Sequence, residues 1–114
     1  MPYEFGEVVL VPFPFTNQTS TKQRPAVVAS SRRYAVERPD VVLMAITSQL
    51  RPSPAFGEVW LAGWQAAGLL KPSAIKPIFA TFEQRLVIRR LGALSDNDRK
   101  SLAAAVGLIL GLSN

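Results

Sequence analysis

The chain has 114 residues, enough for one domain around one hydrophobic core and too few for two. Apolar residues make up 48% and charged residues 18%, a balance that excludes a disordered tail. Thirteen Lys and Arg against eight Asp and Glu leave a formal charge of +5, which favours polyanionic partners, nucleic acid ahead of a membrane surface, although such a charge also serves solubility alone.

Cysteine and histidine are both absent. This removes disulfides, thiolate metal sites and cysteine nucleophiles, together with the commonest acid–base group and metal ligand. Catalysis, if any, must run on Arg, Lys, carboxylates, hydroxyls or amides, with no cofactor or metal expected. The first six residues show no basic head followed by an apolar run, and no stretch approaches the roughly 18 apolar residues that span a bilayer, so a soluble cytoplasmic protein is expected.

From Gly6, the run Glu7-Val8-Val9-Leu10-Val11 is β-branched and short, and Pro12-Phe13-Pro14-Phe15 suits a strand leaving its sheet. Residues 16–23 are all polar, which predicts an exposed loop able to act as a lid. Of Phe13 and Phe15, one is expected to pack inward and the other to line a groove. Arg24-Pro25 opens a second strand, Ala26-Val27-Val28-Ala29-Ser30. Residues 31–40 read as polar and irregular, and Val41-Val42-Leu43-Met44-Ala45-Ile46 as a strand buried on both faces, ending at Thr47-Ser48-Gln49.

Two prolines make residues 50–56 a loop, and residues 57–61 form a short strand. Residues 62–68 can form one helical turn. Residues 73–82 are strand-like but broken by Pro77, and residues 86–91 make a last strand before Gly92. Ser95 with Asp98 starts a helix in the manner of a capping box, and Leu102, Ala105, Val106, Ile109 and Leu110 fall on one stripe before Gly111 stops it. Many short strands closed by one terminal helix predict a small, strongly bent, barrel-like sheet in a single domain over residues 1–114.

Four segments, in this order and spacing, resemble the MazF/PemK family of toxins from type II toxin–antitoxin operons: Gly6-Glu7-Val8-Val9-Leu10-Val11-Pro12-Phe13-Pro14-Phe15; Gln23-Arg24-Pro25-Ala26-Val27-Val28; Ile46-Thr47-Ser48-Gln49; and Ala67-Gly68-Leu69-Leu70-Lys71-Pro72-Ser73 leading to Leu91-Gly92-Ala93-Leu94-Ser95. The resemblance implies a mainly β, SH3-like antiparallel barrel with a C-terminal amphipathic helix. It further implies a homodimer whose groove takes single-stranded RNA, metal-independent endoribonuclease activity and neutralisation by an antitoxin. It places Arg24 and Thr47 in the catalytic centre. One group of the family uses an Arg and an Asp on a later strand as base and acid; those positions fall near Lys71 and Ser73, and neither residue matches.

The residues themselves bear on these roles. Cleavage by 2′-hydroxyl attack needs a base, an acid and cationic donors for charge developing on phosphorus. The guanidinium of Arg24 suits the last role, whereas without the resemblance an Arg before a strand reads as a surface ion pair. Thr47 and Ser48, with Gln49 beside them, serve either turn-making or phosphate positioning. Ser73 and Lys76, three apart on a strand, point to opposite faces, and Lys76 is favoured for phosphate. Lys22 and Gln23 reach RNA from the lid or are merely solvated. Trp60 and Trp64 sit among apolar neighbours and read as packing ahead of base stacking. A non-cleaving relative that poisons a protein such as DNA gyrase is the rival function, and a nontoxic RNA-binding barrel a third.

Overall fold

The computed structural model describes residues 2–12 and 22–112. Six strands, β1 (Glu7–Pro12), β2 (Gln23–Val28), β3 (Asp40–Thr47), β4 (Val59–Trp60), β5 (Ala74–Glu83) and β6 (Arg89–Ala93), form one curled antiparallel sheet in the order β4-β5-β3-β2-β1-β6. Among the described residues two helices accompany it, α1 (Arg32–Glu37) between β2 and β3 and α2 (Asp96–Leu110) after β6.

Strand alternation sends apolar side chains to both faces, and both are covered. Val8, Val27, Met44, Ile46 and Ile75 pack with Leu102 and Ala105 of α2. Val9, Val11, Ala26, Val28, Val41, Leu43 and Ala45 form a second cluster that Tyr3, Phe82 and Val87 pack against. A central strand buried on both sides has no polar face to display, which is why β3 reads as an unbroken apolar run.

Three local expectations are corrected. Pro77 does not interrupt β5: Ile46 pairs with Ile75 and Met44 with Phe79, so Ala45 alone stands opposite Lys76, Pro77 and Ile78, and the proline sits in a bulge where the ladder asks for no N–H donor. The segment read as irregular contains α1, capped by Ser31, whose hydroxyl oxygen accepts from the Tyr34 N–H at 3.1 Å. A helix burying only Ala35 shows no apolar period. The last strand lies later than residues 86–91, because Gln84–Leu86 forms a 3-10 turn. Residues 62–68 turn as expected, the Ala67 N–H donating to the Gly63 carbonyl at 3.1 Å as in a single helical turn.

α2 begins as predicted, with the Ser95 hydroxyl oxygen accepting from the Asp98 N–H at 3.2 Å, and stops at Gly111. Its stripe is buried through Leu102 and Ala105 and half-buried at Val106 and Ile109, but Leu110 is exposed. Leu110 falls at the margin of the stripe, while Ile109 in the same turn still packs on the core.

The two sheet edges, β4 and β6, are bridged by the chain that follows β4. The Leu61 N–H donates to the Ser73 carbonyl at 3.0 Å, closing residues 61–73 into a lobe. At its tip, Gly68 and Ala67 meet Leu91 and Gly92 of β6 backbone to backbone. The base of the lobe is tied to α2 by buried Asp98, whose Oδ1 accepts from the Ala62 N–H at 3.1 Å and Oδ2 from the Gly63 N–H at 2.8 Å.

Candidate functional site

Leu10 and Pro25 continue the rows of Val8 and Val27 two residues along their strands, and there a cleft of about 690 Å³ opens. That volume suits a ligand fragment rather than a single water. Leu10, Pro25, Ile46, Leu69 and Leu91 supply its apolar lining, and Arg24, Thr47, Ser48, Gln49, Lys71, Ser73 and Arg89 its polar groups. Three of these are cations, and none of the lining residues is a carboxylate.

Arg24 is exposed near the start of β2, opposite Val11 of β1. Pro25 disfavours helical backbone at the preceding residue, so local sterics keep Arg24 extended. Thr47 ends β3. The register that pairs Val28 with Leu43, Val27 with Met44 and Ala26 with Ala45 runs on toward Arg24 and Thr47, which is how two residues distant in sequence come to one cleft. The Thr47 hydroxyl oxygen accepts from the Gln49 N–H at 3.1 Å, shaping the turn that presents Ser48 and Gln49 to solvent, and its proton stays available for a phosphate oxygen.

Ser73 lines the cleft but is 5% exposed, and its hydroxyl donates to the Lys71 carbonyl at 2.8 Å. Its proton is spent inside the wall, so it braces the backbone that carries exposed Lys71. Lys76 is half-buried within the β5 bulge and does not line the cleft. Lys22 precedes β2 and Gln23 begins it; both are exposed and also stand outside the lining. Trp64 packs on the α2 cluster and Trp60 is partly exposed on β4; neither reaches the cleft. Phe13, Phe15 and most of the predicted lid, residues 16–21, lie outside the described residues. Sequence reasoning missed Arg89. The Ile88-Arg89-Arg90-Leu91 alternation held the signal, since one arginine of such a pair must share a face with Leu91.

Among the described residues no three His, Cys, Asp or Glu side chains gather as a metal site. No described helix is long and apolar enough to cross a membrane. The cleft therefore presents guanidinium and ammonium groups beside hydroxyls, a set that binds and stabilises phosphate oxygens.

Solved structures share this architecture over nearly the whole chain. An endoribonuclease in complex with its cognate antitoxin from a mycobacterial species matches with a TM-score of 0.79 at 16% identity, covering 98% of either chain. MazE-MazF from Deinococcus radiodurans matches with a TM-score of 0.77 at 21% identity, covering 99% of this chain and 100% of the other. The Mycobacterium tuberculosis toxin MazF-mt6 matches at 0.74 and 19% identity, covering 95% and 99%. No curated protein sequence matches significantly. The profile of the PemK-like, MazF-like toxins of type II toxin–antitoxin systems matches residues 4–110, and the chain belongs to that family.

Proposed function

We propose that this chain is a sequence-selective, metal-independent endoribonuclease toxin that cuts single-stranded RNA and is held inactive by a cognate antitoxin. The observation that carries the reading is the meeting of Arg24 and Thr47 in one cleft whose charged lining is wholly cationic. Its support from relatives is the similarity to solved mycobacterial endoribonucleases, one of them in complex with its cognate antitoxin.

The 2′-hydroxyl of the nucleotide before the scissile bond attacks phosphorus and loses its proton, a 2′-O–P bond forms, and the P–O5′ bond breaks as the departing oxygen takes up a proton. Products are a 2′,3′-cyclic phosphate and a 5′-hydroxyl. Arg24 offers its fork to the non-bridging oxygens, where removal of one such donor costs roughly 3 kcal/mol in other enzymes. Thr47 donates its hydroxyl proton to the same phosphate, and Ser48 and Gln49 orient neighbouring nucleotide groups. Lys71 adds charge from the lobe that follows β4. Lys22, Gln23 and Lys76 stand outside the cleft and meet RNA only at its periphery. The antitoxin expected for this cleft is a flexible acidic segment with apolar anchors, and the working toxin is a homodimer.

The decisive experiment incubates purified protein with mixed single-stranded RNA in EDTA. Fragments ending in cyclic phosphate are expected. Intact RNA at stoichiometric protein, or cleavage only after metal is added, overturns the reading; intact RNA together with inhibited DNA supercoiling would move the protein to the gyrase-poisoning class.

A further inference from the structure

Arg89 is a cation of the cleft to which no role has been assigned. It lies on edge strand β6, paired with Leu10 of β1, which in turn pairs with Pro25 of β2. Arg89, Leu10 and Pro25 thus form one row across three strands, and all three line the cleft. The next residue, Arg90, is tied by its Nε to Glu7 Oε2 at 2.6 Å and does not line the cleft. Arg32, Arg38, Arg85 and Arg99 are likewise held by carboxylates. Arg89 has no ion-pair partner among the described residues, is exposed, and shares its cavity with no acidic group. The fold neutralises the arginine outside the cleft and leaves its neighbour inside it available.

Position separates Arg89 from Arg24. Its strand is two strand spacings from β2, about 9.5 Å, with β1 between them, and it stands in register with Pro25, one residue beyond Arg24. One phosphate engaged at close range by Arg24 is not the phosphate that Arg89 best serves.

We propose that Arg89 binds a backbone phosphate flanking the scissile one, so that the RNA strand crosses from β2 over Leu10 to β6. The proposal rests on the ribonuclease reading and deepens it. A flanking phosphate contact is made equally before and during the reaction, so Arg89 contributes to RNA affinity and leaves the chemical step alone. Phosphate contacts in single strands release counterions, each adding about 0.7 to the slope of log affinity against log salt.

The test titrates a non-cleavable 2′-O-methyl oligoribonucleotide into the full chain at several salt concentrations and measures single-turnover cleavage of the matching RNA. Arg89→Gln is expected to weaken binding about three- to tenfold and reduce the salt slope by about 0.7, with the cleavage rate at saturating protein within twofold of wild type. Arg89→Lys should restore the slope. Arg33→Gln, which removes an exposed charge outside the cleft, should change neither quantity. An unchanged slope in Arg89→Gln, or a slower saturated cleavage rate at unchanged affinity, overturns the proposal while wild-type binding and cleavage leave the ribonuclease reading standing. Failure of the wild type both to bind and to cut overturns both.

Discussion

Gly68 lies against the main chain of Leu91 so closely that a Cβ on it would collide with the Leu91 carbonyl oxygen and stand 2.6 Å from its carbonyl carbon. Its φ of +85° is also one that L-residues rarely adopt. The mate of this contact is Gly92, where a Cβ would stand 2.6 Å from the carbonyl carbon and oxygen of Ala67. These two glycines let the lobe after β4 reach β6, and the same seam carries Leu69, Leu70 and Lys71 into the cleft.

Gly68→Ala should therefore cost about 2–4 kcal/mol, from backbone strain and the forced separation of two main chains. Urea unfolding at unchanged m-value measures it. A variant as stable as wild type would mean that the seam yields without cost.

Asp98 ties the other end of the lobe. Asp98→Ala deprives the Ala62 and Gly63 N–H groups of their acceptor and should destabilise by about 2–4 kcal/mol. Asp98→Asn keeps one acceptor oxygen and should cost clearly less. Equal losses for the two substitutions would show that side-chain packing, not the paired hydrogen bonds, holds the lobe.

Arg24→Ala should slow single-turnover RNA cleavage by about 10²–10³-fold, the scale for loss of one charge-stabilising donor. Its exposed position predicts a thermal midpoint within a few degrees of wild type. Thr47→Ser should retain most activity and Thr47→Val should lose it, because only serine keeps the hydroxyl. A large fall in thermal stability for Arg24→Ala would recast that residue as structural.

Away from the cleft, Tyr34 donates to Asp40 Oδ2 at 2.6 Å and Arg38 Nε to Oδ1 at 2.9 Å. The Tyr34 hydrogen bond, followed by the Arg38 hydrogen bond and charge, holds the Asp40 carboxyl below its ordinary value. Stability from this lowered value is fully present above the ordinary carboxylate range, about pH 4, and is lost as pH falls through the lower folded value. Tyr34→Phe should make the acid limb of a thermal-midpoint titration shallower in that window. A limb identical to wild type would place the acid sensitivity elsewhere.

The helix start at Ser95, its stop at Gly111 and the doubly buried β3 were legible because each is dictated within a few residues, by a cap, a backbone conformation or an unbroken apolar run. α1 escaped notice for the opposite reason: six residues burying one side chain carry no period to detect. Pro77 was misleading because a proline's effect depends on whether its partner strand demands an N–H, and the bulge opposite Ala45 removes that demand.

The site divides in the same way. Residue types alone confined the chemistry to arginine, lysine, carboxylate, hydroxyl and amide groups, since neither histidine nor cysteine occurs in the sequence, and the resemblance carried by the Arg-Pro and Thr-Ser segments pointed to Arg24 and Thr47. Which cations share the cleft was settled by long-range packing: strand register brings Arg89 in while Arg90 is spent on Glu7, and the glycine seam brings in Lys71 while Lys76 stays in the β5 bulge. Register is a long-range property in which a one-residue slip reverses every face, so the alternation from Ile88 to Leu91 shows which arginine shares a face with Leu91 but not that this face lines the cleft.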